Sequence, residues 1–398
     1  VKQTFRLNHA RAGENYTGTL LPINESEKKI TFLDIKIPHG LSLTPNLSTG
    51  IISGLVDEPG EFDILIKYFS SGGKPVREEL GIATLLVVPN PKLMWKDIPS
   101  PRTAPYWVPD EKHSAITSAG FSVTAASKRG RSHAHAGSFR DDDYAVVSDG
   151  VWLIAVVADG AGSAKYSRKG ANVACETSSH YLLNHLHKID DFITKTSSST
   201  ELNPGNIKLN TDRIKEIFTT ILTESLQYSL NEIKNECNNV NGGTELREFS
   251  TTTLIAMTRK INDAILVVTY SVGDGAIALY HEKQNLNLLS CGDSGEYAGQ
   301  TRFLDDIAVT YEEVSRRSQI TLVQDMSSLI LMSDGVSDPF FETDNQLLDV
   351  SRWDSLWKNL KDENVISGMG ANSRLLNWLD FWSKGNHDDR TIVIITQE

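Results

Sequence analysis

Cysteine is scarce: three in 398 residues, Cys175, Cys237 and Cys291, too few for a disulfide framework. They are scattered and form no CxxC pair, so the spacing of a zinc ribbon is missing as well. Long apolar runs are absent too. No stretch approaches the roughly 18 consecutive apolar residues that read as a membrane span, and the opening VKQTFRLNHARAG holds no apolar signal core. Positive charge is in deficit, with 39 Lys and Arg against 51 Asp and Glu and a formal net charge of -12. That balance argues against a general nucleic-acid binder and favours cation sites. Together these absences point to a cytoplasmic protein in a reducing compartment, with neither nucleic acid nor membrane as partner. What is present, 39% hydrophobic and 23% charged residues, is a soluble globular composition in a chain long enough for two or three domains.

Residues 1–90 read as short strands punctuated by turns: ITFLDIKI, PHGLSLTPNLSTGIISG, EFDILIKYF, SSGGK and IATLLVV. Such runs between Gly, Pro, Ser and Asn clusters predict a small β-sandwich. Prolines then recur through VPNPKLMWKDIPSPRTAPYWVPD, each interrupting helix or strand, and 91–112 reads as a linker. From 113 to 398 the texture changes. FSVTAAS, YAVVSD and VWLIAVVA are strand-like and precede a helix predicted over Lys169–His187. An insert rich in Ser, Thr and Asn fills 191–210. A second helix follows, with Ile214, Ile217, Phe218, Ile221, Leu222, Leu226, Leu230 and Ile233 on one face. Asn210 or Thr211 is its candidate cap, and Asn241-Gly242 ends the region. TTLIAMT, AILVVTYSVG, AIALY, LILMS and TIVII are further strands, and Trp353, Trp357, Trp378 and Trp382 read as packing residues of a late helical segment. Strands and helices are grouped rather than strictly alternating. The expected fold class is therefore α+β, with two antiparallel sheets covered by helices.

The apolar runs end on carboxylates. VVADGAGSAKYS places Asp159-Gly160 at the end of one, and LILMSDGVSD places Asp334-Gly335 at the end of another. HDDRTIVII sets Asp388 and Asp389 just before a third, and Asp141, Asp142 and Asp143 open the run YAVV. A single Asp-Gly is ordinary turn chemistry; four carboxylate clusters beside four core-length runs ask for more. Hard cations such as Mg²⁺ and Mn²⁺ take oxygen ligands, and a carboxylate at a strand end is held at the rim of an anchored element. Glycine after Asp159 and Asp334 lets the backbone approach a ligand closely. Two such ions sharing a carboxylate generate hydroxide near neutral pH and balance charge on a phosphoryl group during in-line attack. His180, His185 and His187 do not make a comparable cluster, because spacings of five and two do not bring three side chains onto one helical face.

In this order RDDDYAV, VVADGAGS, STTTLIA, YSVGDGAIALY, LMSDGVSD and HDDRTIVII resemble the metal-dependent protein phosphatase 2C-like family, in its bacterial branch, over residues 113–398. The resemblance implies a four-layer α/β/β/α sandwich with a binuclear Mg²⁺/Mn²⁺ site at one edge of the paired sheets. It also implies hydrolysis of phosphoserine and phosphothreonine by a metal-activated water, without a phosphoenzyme intermediate. By position, Asp159 corresponds to the carboxylate bridging both ions, with the Gly160 carbonyl as a ligand, and Asp334 and Asp388 to partners of the first ion. Asp142 and Asp143 match the early acidic pair that contacts the second ion directly and through water. Asp338 stands where many members hold a weaker third ion, and Asp274, in GDGA, matches a largely structural motif outside the metal set.

Two departures bear on catalysis. Many members place an arginine five residues before the second acid of the early pair, where it grips the substrate phosphate; Ser138 stands there. Arg140, Arg129 and His133 are the candidate substitutes, and RGRSHAHAGSFRDDD is similar to a bacterial subgroup with a histidine in this stretch. Asp159, Asp143, Arg140 and His133 thus form the expected catalytic set. Ala161 stands where eukaryotic members often have a histidine proposed as general acid, which leaves metal-bound water or another group to protonate the leaving oxygen.

GLSLTPNLSTGIISGLVDEPGEFDILIKY resembles immunoglobulin-like domains with a GL-x-L-x-P, TG-x-I-x-G and PG-x-F/Y signature. Such modules bind or space other domains, so a rigid spacer and a docking module stand side by side. The expected activity is a phosphatase reversing Ser/Thr kinase signalling, with phosphoserine and phosphothreonine proteins as partners. A pseudophosphatase that binds phosphoproteins is the alternative favoured by the missing arginine. The complete carboxylate set favours the enzyme, because clustered negative charge is costly to keep. The missing signal core and disulfides weigh against a third possibility, a surface adhesin.

Overall fold

The computed structural model describes residues 3–23, 30–70, 78–198, 211–290 and 301–398. The chain divides into two compact units, Val1–Lys96 and Asp97–Glu398.

The first unit is all strand: β1 (Gln3–Arg6), β2 (Ala10–Arg11), β3 (Glu14–Thr19), β4 (Leu21–Pro22), β5 (Ile30–Lys36), β6 (Ser42–Asn46), β7 (Ile51–Val56), β8 (Gly60–Ser70) and β9 (Glu79–Val88). One sheet runs β4-β1-β9-β8-β5, with β2 beside β9, and the other runs β3-β7-β6. Alternation dictates the packing. Ala83, Leu85 and Val87 of β9 turn inward while Leu80 and Thr84 face solvent. Their inward face joins Phe5, Tyr16, Ile52, Val56, Ile64 and Ile66 in one core between the sheets.

The stretch read as a linker over 91–112 begins with a 3₁₀ turn, Pro91–Met94, capped by the Asn90 side chain. From Asp97 onward it is packed into the second unit. Tyr106 sits edge-on to Tyr166 and Phe249, Ser100 is buried, and Asp97 pairs with Arg129 at 2.7 Å.

The second unit continues with β10 (Glu111–Ser118), β11 (Phe121–Lys128), α1 (Arg131–Ala136), β12 (Asp143–Ser148), β13 (Leu153–Ala158), α2 (Ser167–Ser198) and α3 (Thr211–Asn239). Next come β14 (Thr253–Ile261), β15 (Ala264–Val272), β16 (Ala276–His281), β17 (Asn285–Leu288), α4 (Tyr311–Arg317), β18 (Ser318–Val323) and β19 (Ser328–Met332). The unit closes with α5 (Asp334–Phe340), α6 (Val350–Asp362), α7 (Ala371–Trp378) and β20 (Arg390–Gln397). Two antiparallel sheets, β10-β11-β20-β19-β16-β17 and β12-β13-β14-β15-β18, lie face to face.

Every residue of β13 is buried, which explains a run with no polar alternation. Leu153, Ala155 and Val157 join Phe121, Leu254, Leu331 and Val393 between the sheets. Ile154 and Val156 meet Leu182, Leu186, Phe218 and Leu222 of α2 and α3 on the other side. The second sheet is covered by α6 and α7, where Trp353, Trp357 and Trp378 pack on Ile330 and Ile392. The four layers are the expected α/β/β/α sandwich. Helix α2 runs past the expected end at His187 to Ser198, into the stretch read as an insert. Asn210 and Cys291 lie outside the described residues, while Cys175 and Cys237 are free and buried. Among the described residues no helix is long and apolar enough to cross a membrane.

Candidate metal centre

Five chain segments bring their carboxylates to one end of the paired sheets. Asp141 and Asp142 lead into β12, Asp159 follows β13, Asp274 lies between β15 and β16, Asp334 opens α5 after β19, and Asp388 and Asp389 precede β20. Glycines let these backbones touch. A Cβ on Gly335 would lie 1.8 Å from the Asp389 carbonyl oxygen, and one on Gly130 would lie 2.3 Å from the Asp388 carbonyl carbon. A Cβ on Gly160 would fall 2.6 Å from the Asp141 carbonyl oxygen. No side chain fits at these contacts, so glycine here sets the spacing of the acidic loops. Gly160 also faces Thr251, flanked by hydrogen bonds from Ala161 N to the Ser250 carbonyl (3.0 Å) and from Thr252 N to the Asp159 carbonyl (2.8 Å). In that non-hydrogen-bonded position the Gly160 carbonyl stays out of the ladder.

Oxygens of Asp159, Asp274 and Asp334 lie within 4.8 Å of one another. Burial, reinforced by Asp142, Asp334 and Asp388, holds the Asp159 carboxyl well above the usual carboxylate range. Burial, Asp274 and Asp388 push Asp334 up to about 7. Asp142 is raised by burial and Asp389, although Ser333 Oγ donates to its Oδ2 at 2.7 Å. Asp388 is raised by burial and Asp389, and Asp338, one turn along α5 from Asp334, by partial burial and Asp274. Three buried oxygens, Asp141 Oδ1, Asp142 Oδ1 and Asp334 Oδ1, have no hydrogen-bond partner. Crowded like charges with unpaired oxygens are a donor set that a hard divalent cation fits, since it removes both the repulsion and the unmet acceptors.

Asp143 is held differently. Burial would raise it, but Lys112 and Arg140 outweigh that and keep it below the usual range. Lys112 Nζ lies 2.8 Å from Oδ1, and Asn172 Nδ2 donates to Oδ2 at 3.0 Å. Its charge is already balanced from the β10 and α2 side. Arg140, a candidate for gripping phosphate, is buried and donates to the Pro109 carbonyl (3.1 Å), Ser127 Oγ (2.9 Å) and the Asp142 carbonyl. Arg129 is also buried, bonded to the Ser138 carbonyl and Asp97. Both guanidiniums brace backbone and neighbouring acids.

His133, on α1, lies beside the cluster. Its Nδ1 is 3.0 Å from Asp389 Oδ1 and its Nε2 is 3.9 Å from Asp141 Oδ2. Burial pulls its value down, but Asp389, Asp141 and Asp388 outweigh this and hold the imidazolium up to about 9. Asp389 is a junction as well: Oδ1 accepts from Gly130 N at 2.6 Å and Oδ2 from Asp141 N. Three acids of the cluster were not among the expected site residues, Asp274 because its GDGA motif was read as structural. Asp274 carried the same signal as the others, an Asp-Gly after an apolar run, while Asp141 and Asp389 adjoin residues that were assigned.

The protein phosphatase 2C family model matches residues 129–380. Among solved structures, the chain is similar to the serine-threonine phosphatase 2C from Toxoplasma gondii, at 12% identity and a TM-score of 0.44, over 73% of this chain and 100% of that one. It is similar to the Mycobacterium tuberculosis serine/threonine phosphatase PstP/Ppp at 16% identity and a TM-score of 0.39, over 70% of this chain and 99% of that one. RsbX in complex with magnesium matches at 11% identity and a TM-score of 0.38, over 72% of this chain and 100% of that one. Among curated proteins, none matches this chain. The family model spans more than half of the sequence, and the chain belongs to the protein phosphatase 2C family.

Proposed function

We propose that this protein hydrolyses phosphoserine and phosphothreonine in proteins at a binuclear Mg²⁺ or Mn²⁺ centre. The observation that carries the reading is the carboxylate cluster around Asp159, with buried acceptors left unpaired on Asp142 and Asp334. Asp159 and the Gly160 carbonyl would lie between two ions, Asp334 and Asp388 on the first and Asp142 on the second, with Asp274 close enough to join. Asp338 would hold a weaker third. Bound there, such ions supply an activated water and balance the charge of the phosphoryl group.

The chain's own task is to keep these donors in place. Thr252 Oγ1 accepts from Asp159 N at 2.9 Å, and Ser333 Oγ links Asp142 to Thr391 N. Asp143, charge-balanced by Lys112, acts as a strut between β10, β12 and α2. Such supporting bonds orient ligand oxygens and tune their basicity. The substrates are proteins phosphorylated by a Ser/Thr kinase, and the first unit, an immunoglobulin-like module, docks a partner protein.

The buried Arg140 and Arg129 favour a second reading, a module that binds phosphoproteins with weak or no turnover. A phosphothreonine peptide assayed with the full chain across a Mn²⁺ titration separates the two. Metal-dependent release of phosphate, lost by orders of magnitude in Asp159→Asn, supports the enzyme. Peptide binding without turnover supports the module, and normal turnover by Asp159→Asn removes Asp159 from the chemistry.

A further inference from the structure

Among the described residues two groups of side chains have metal-ligand spacing, and they share no residue. Asp159, Asp274 and Asp334 form the first. His133, Asp141 and Asp389 form the second, each offering one ligand atom within 4.8 Å of the other two. The second group is the more buried. Asp141 is 7% exposed and Asp389 1%, while the half-buried His133 ring gives an ion access. It also differs in kind, since an imidazole nitrogen joins two carboxylates.

Two atoms of this group lack hydrogen-bond partners. Asp141 Oδ1 is one: Arg168 Nη1 stands 4.0 Å away, and its guanidinium is held by the Pro105, Tyr106 and Lys165 carbonyls. His133 Nδ1 is the other, for it makes no hydrogen bond although Asp389 Oδ1 lies only 3.0 Å from it. Two donors set at right angles on an ion, each about 2.1 Å from it, stand about 3.0 Å apart. The Gly130 and Asp141 N–H groups orient the Asp389 carboxylate, and each oxygen that accepts one such bond keeps a second lone pair.

We propose that His133 Nδ1, Asp141 and Asp389 form a separate site for a divalent transition metal of the zinc class, with water completing its shell. Imidazole nitrogen suits Zn²⁺, whereas the harder Mg²⁺ takes oxygen. The ion replaces the ring proton as counter-charge to the two acids, and the proton leaves to solvent. Bound there, it ties α1 to the chain entering β12 and β20. The site stands whether or not the protein is a phosphatase.

Zinc calorimetry on the full chain in excess Mg²⁺, which competes for the oxygen-only ligands, tests the assignment. We expect one Zn²⁺ per chain that Mg²⁺ does not displace. Its affinity should fall about tenfold or more in His133→Gln and in Asp141→Asn. Asp334→Asn, and His180→Gln at an exposed histidine of α2, should leave the isotherm unchanged. X-ray absorption at the zinc edge should show one imidazole among oxygen ligands. Zinc binding that survives both His133→Gln and Asp141→Asn, or that is lost in Asp334→Asn, places the ion elsewhere and overturns the proposal. So does a folded wild-type chain that binds no zinc. Should His133→Gln fold poorly, the Asp141→Asn isotherm and the absorption edge of the wild-type chain decide.

Discussion

Asp334→Asn should stabilise the metal-free protein, and the gain should vanish in acid. In the folded chain the Asp334 carboxyl is raised from its ordinary 3.8 to about 7, by burial first and then by Asp274 and Asp388. A group raised in this way favours the fold while it is protonated. That contribution is complete below pH 3.8 and is lost as pH climbs through about 7. At pH 8 the ionised group therefore costs up to about 4 kcal/mol, and at pH 4 less than about 1 kcal/mol. Asparagine keeps the size and the turn and removes the charge. Against this stands the loss of a negative charge at the start of α5, worth about 0.3–1 kcal/mol. Relief of repulsion wins at pH 8. In EDTA the variant should melt higher by something on the order of 5–10 °C at pH 8 and show little difference at pH 4. Every tryptophan except Trp95 lies in the second unit, so indole fluorescence follows the relevant transition. In saturating Mn²⁺ the order should invert, because the ion stabilises only a chain that can hold it. A variant less stable than wild type in EDTA at pH 8, or a gain equal at both pH values, would refute the reasoning.

Three other perturbations separate bracing from chemistry. Arg140→Ala leaves the Pro109 and Asp142 carbonyls and Ser127 without their donor; urea denaturation should register a loss of about 3 kcal/mol or more. An intact fold with a raised KM would instead return Arg140 to the phosphate. Gly335→Ala forces Cβ against the Asp389 carbonyl; calorimetry should find Mn²⁺ affinity down about tenfold or more, and wild-type affinity would mean the loops are looser than their contacts imply. A fragment beginning at Asp97 should melt like the second unit of the full chain, whereas one beginning at Glu111 should melt lower, having lost the Asp97–Arg129, Trp107–Ser100 and Tyr106–Phe249 contacts. Equal melting would make 97–110 a linker.

Local order was readable in the sequence wherever it rests on periodicity. The uninterrupted run of β13 follows from burial on both faces, and the repeating face of α3 from the core it shares with α2 and the sheet beneath. Asp159, Asp334 and Asp388 were legible because each ends or precedes such a run. What eluded reading depends on distant partners. Nothing near Arg140 in sequence announces the Pro109 carbonyl, and nothing near Asp143 announces Lys112 or Asn172. An arginine beside three acids reads as available charge, yet the fold turns it inward. Helix α2 outran its expected end because a Ser- and Thr-rich composition is a weak stop signal compared with proline or a C-capping glycine.

The place of β20 has a consequence for how the protein is made. This late strand is internal to its sheet, paired with β11 on one side and β19 on the other, and it carries Asp388 and Asp389 at its entrance. Until it has been synthesised, β10 and β11 have no bond to the rest of that sheet, and the acidic loops near residues 141, 159 and 334 lack the backbone against which Gly130 and Gly335 close. Chains that have not yet reached β20 thus carry most of the carboxylates without the spacing that an ion would need, and pairings this distant in sequence form slowly. Metal capture at the proposed centre would then follow the docking of β20, and Mn²⁺ should slow global unfolding while leaving early refolding rates untouched.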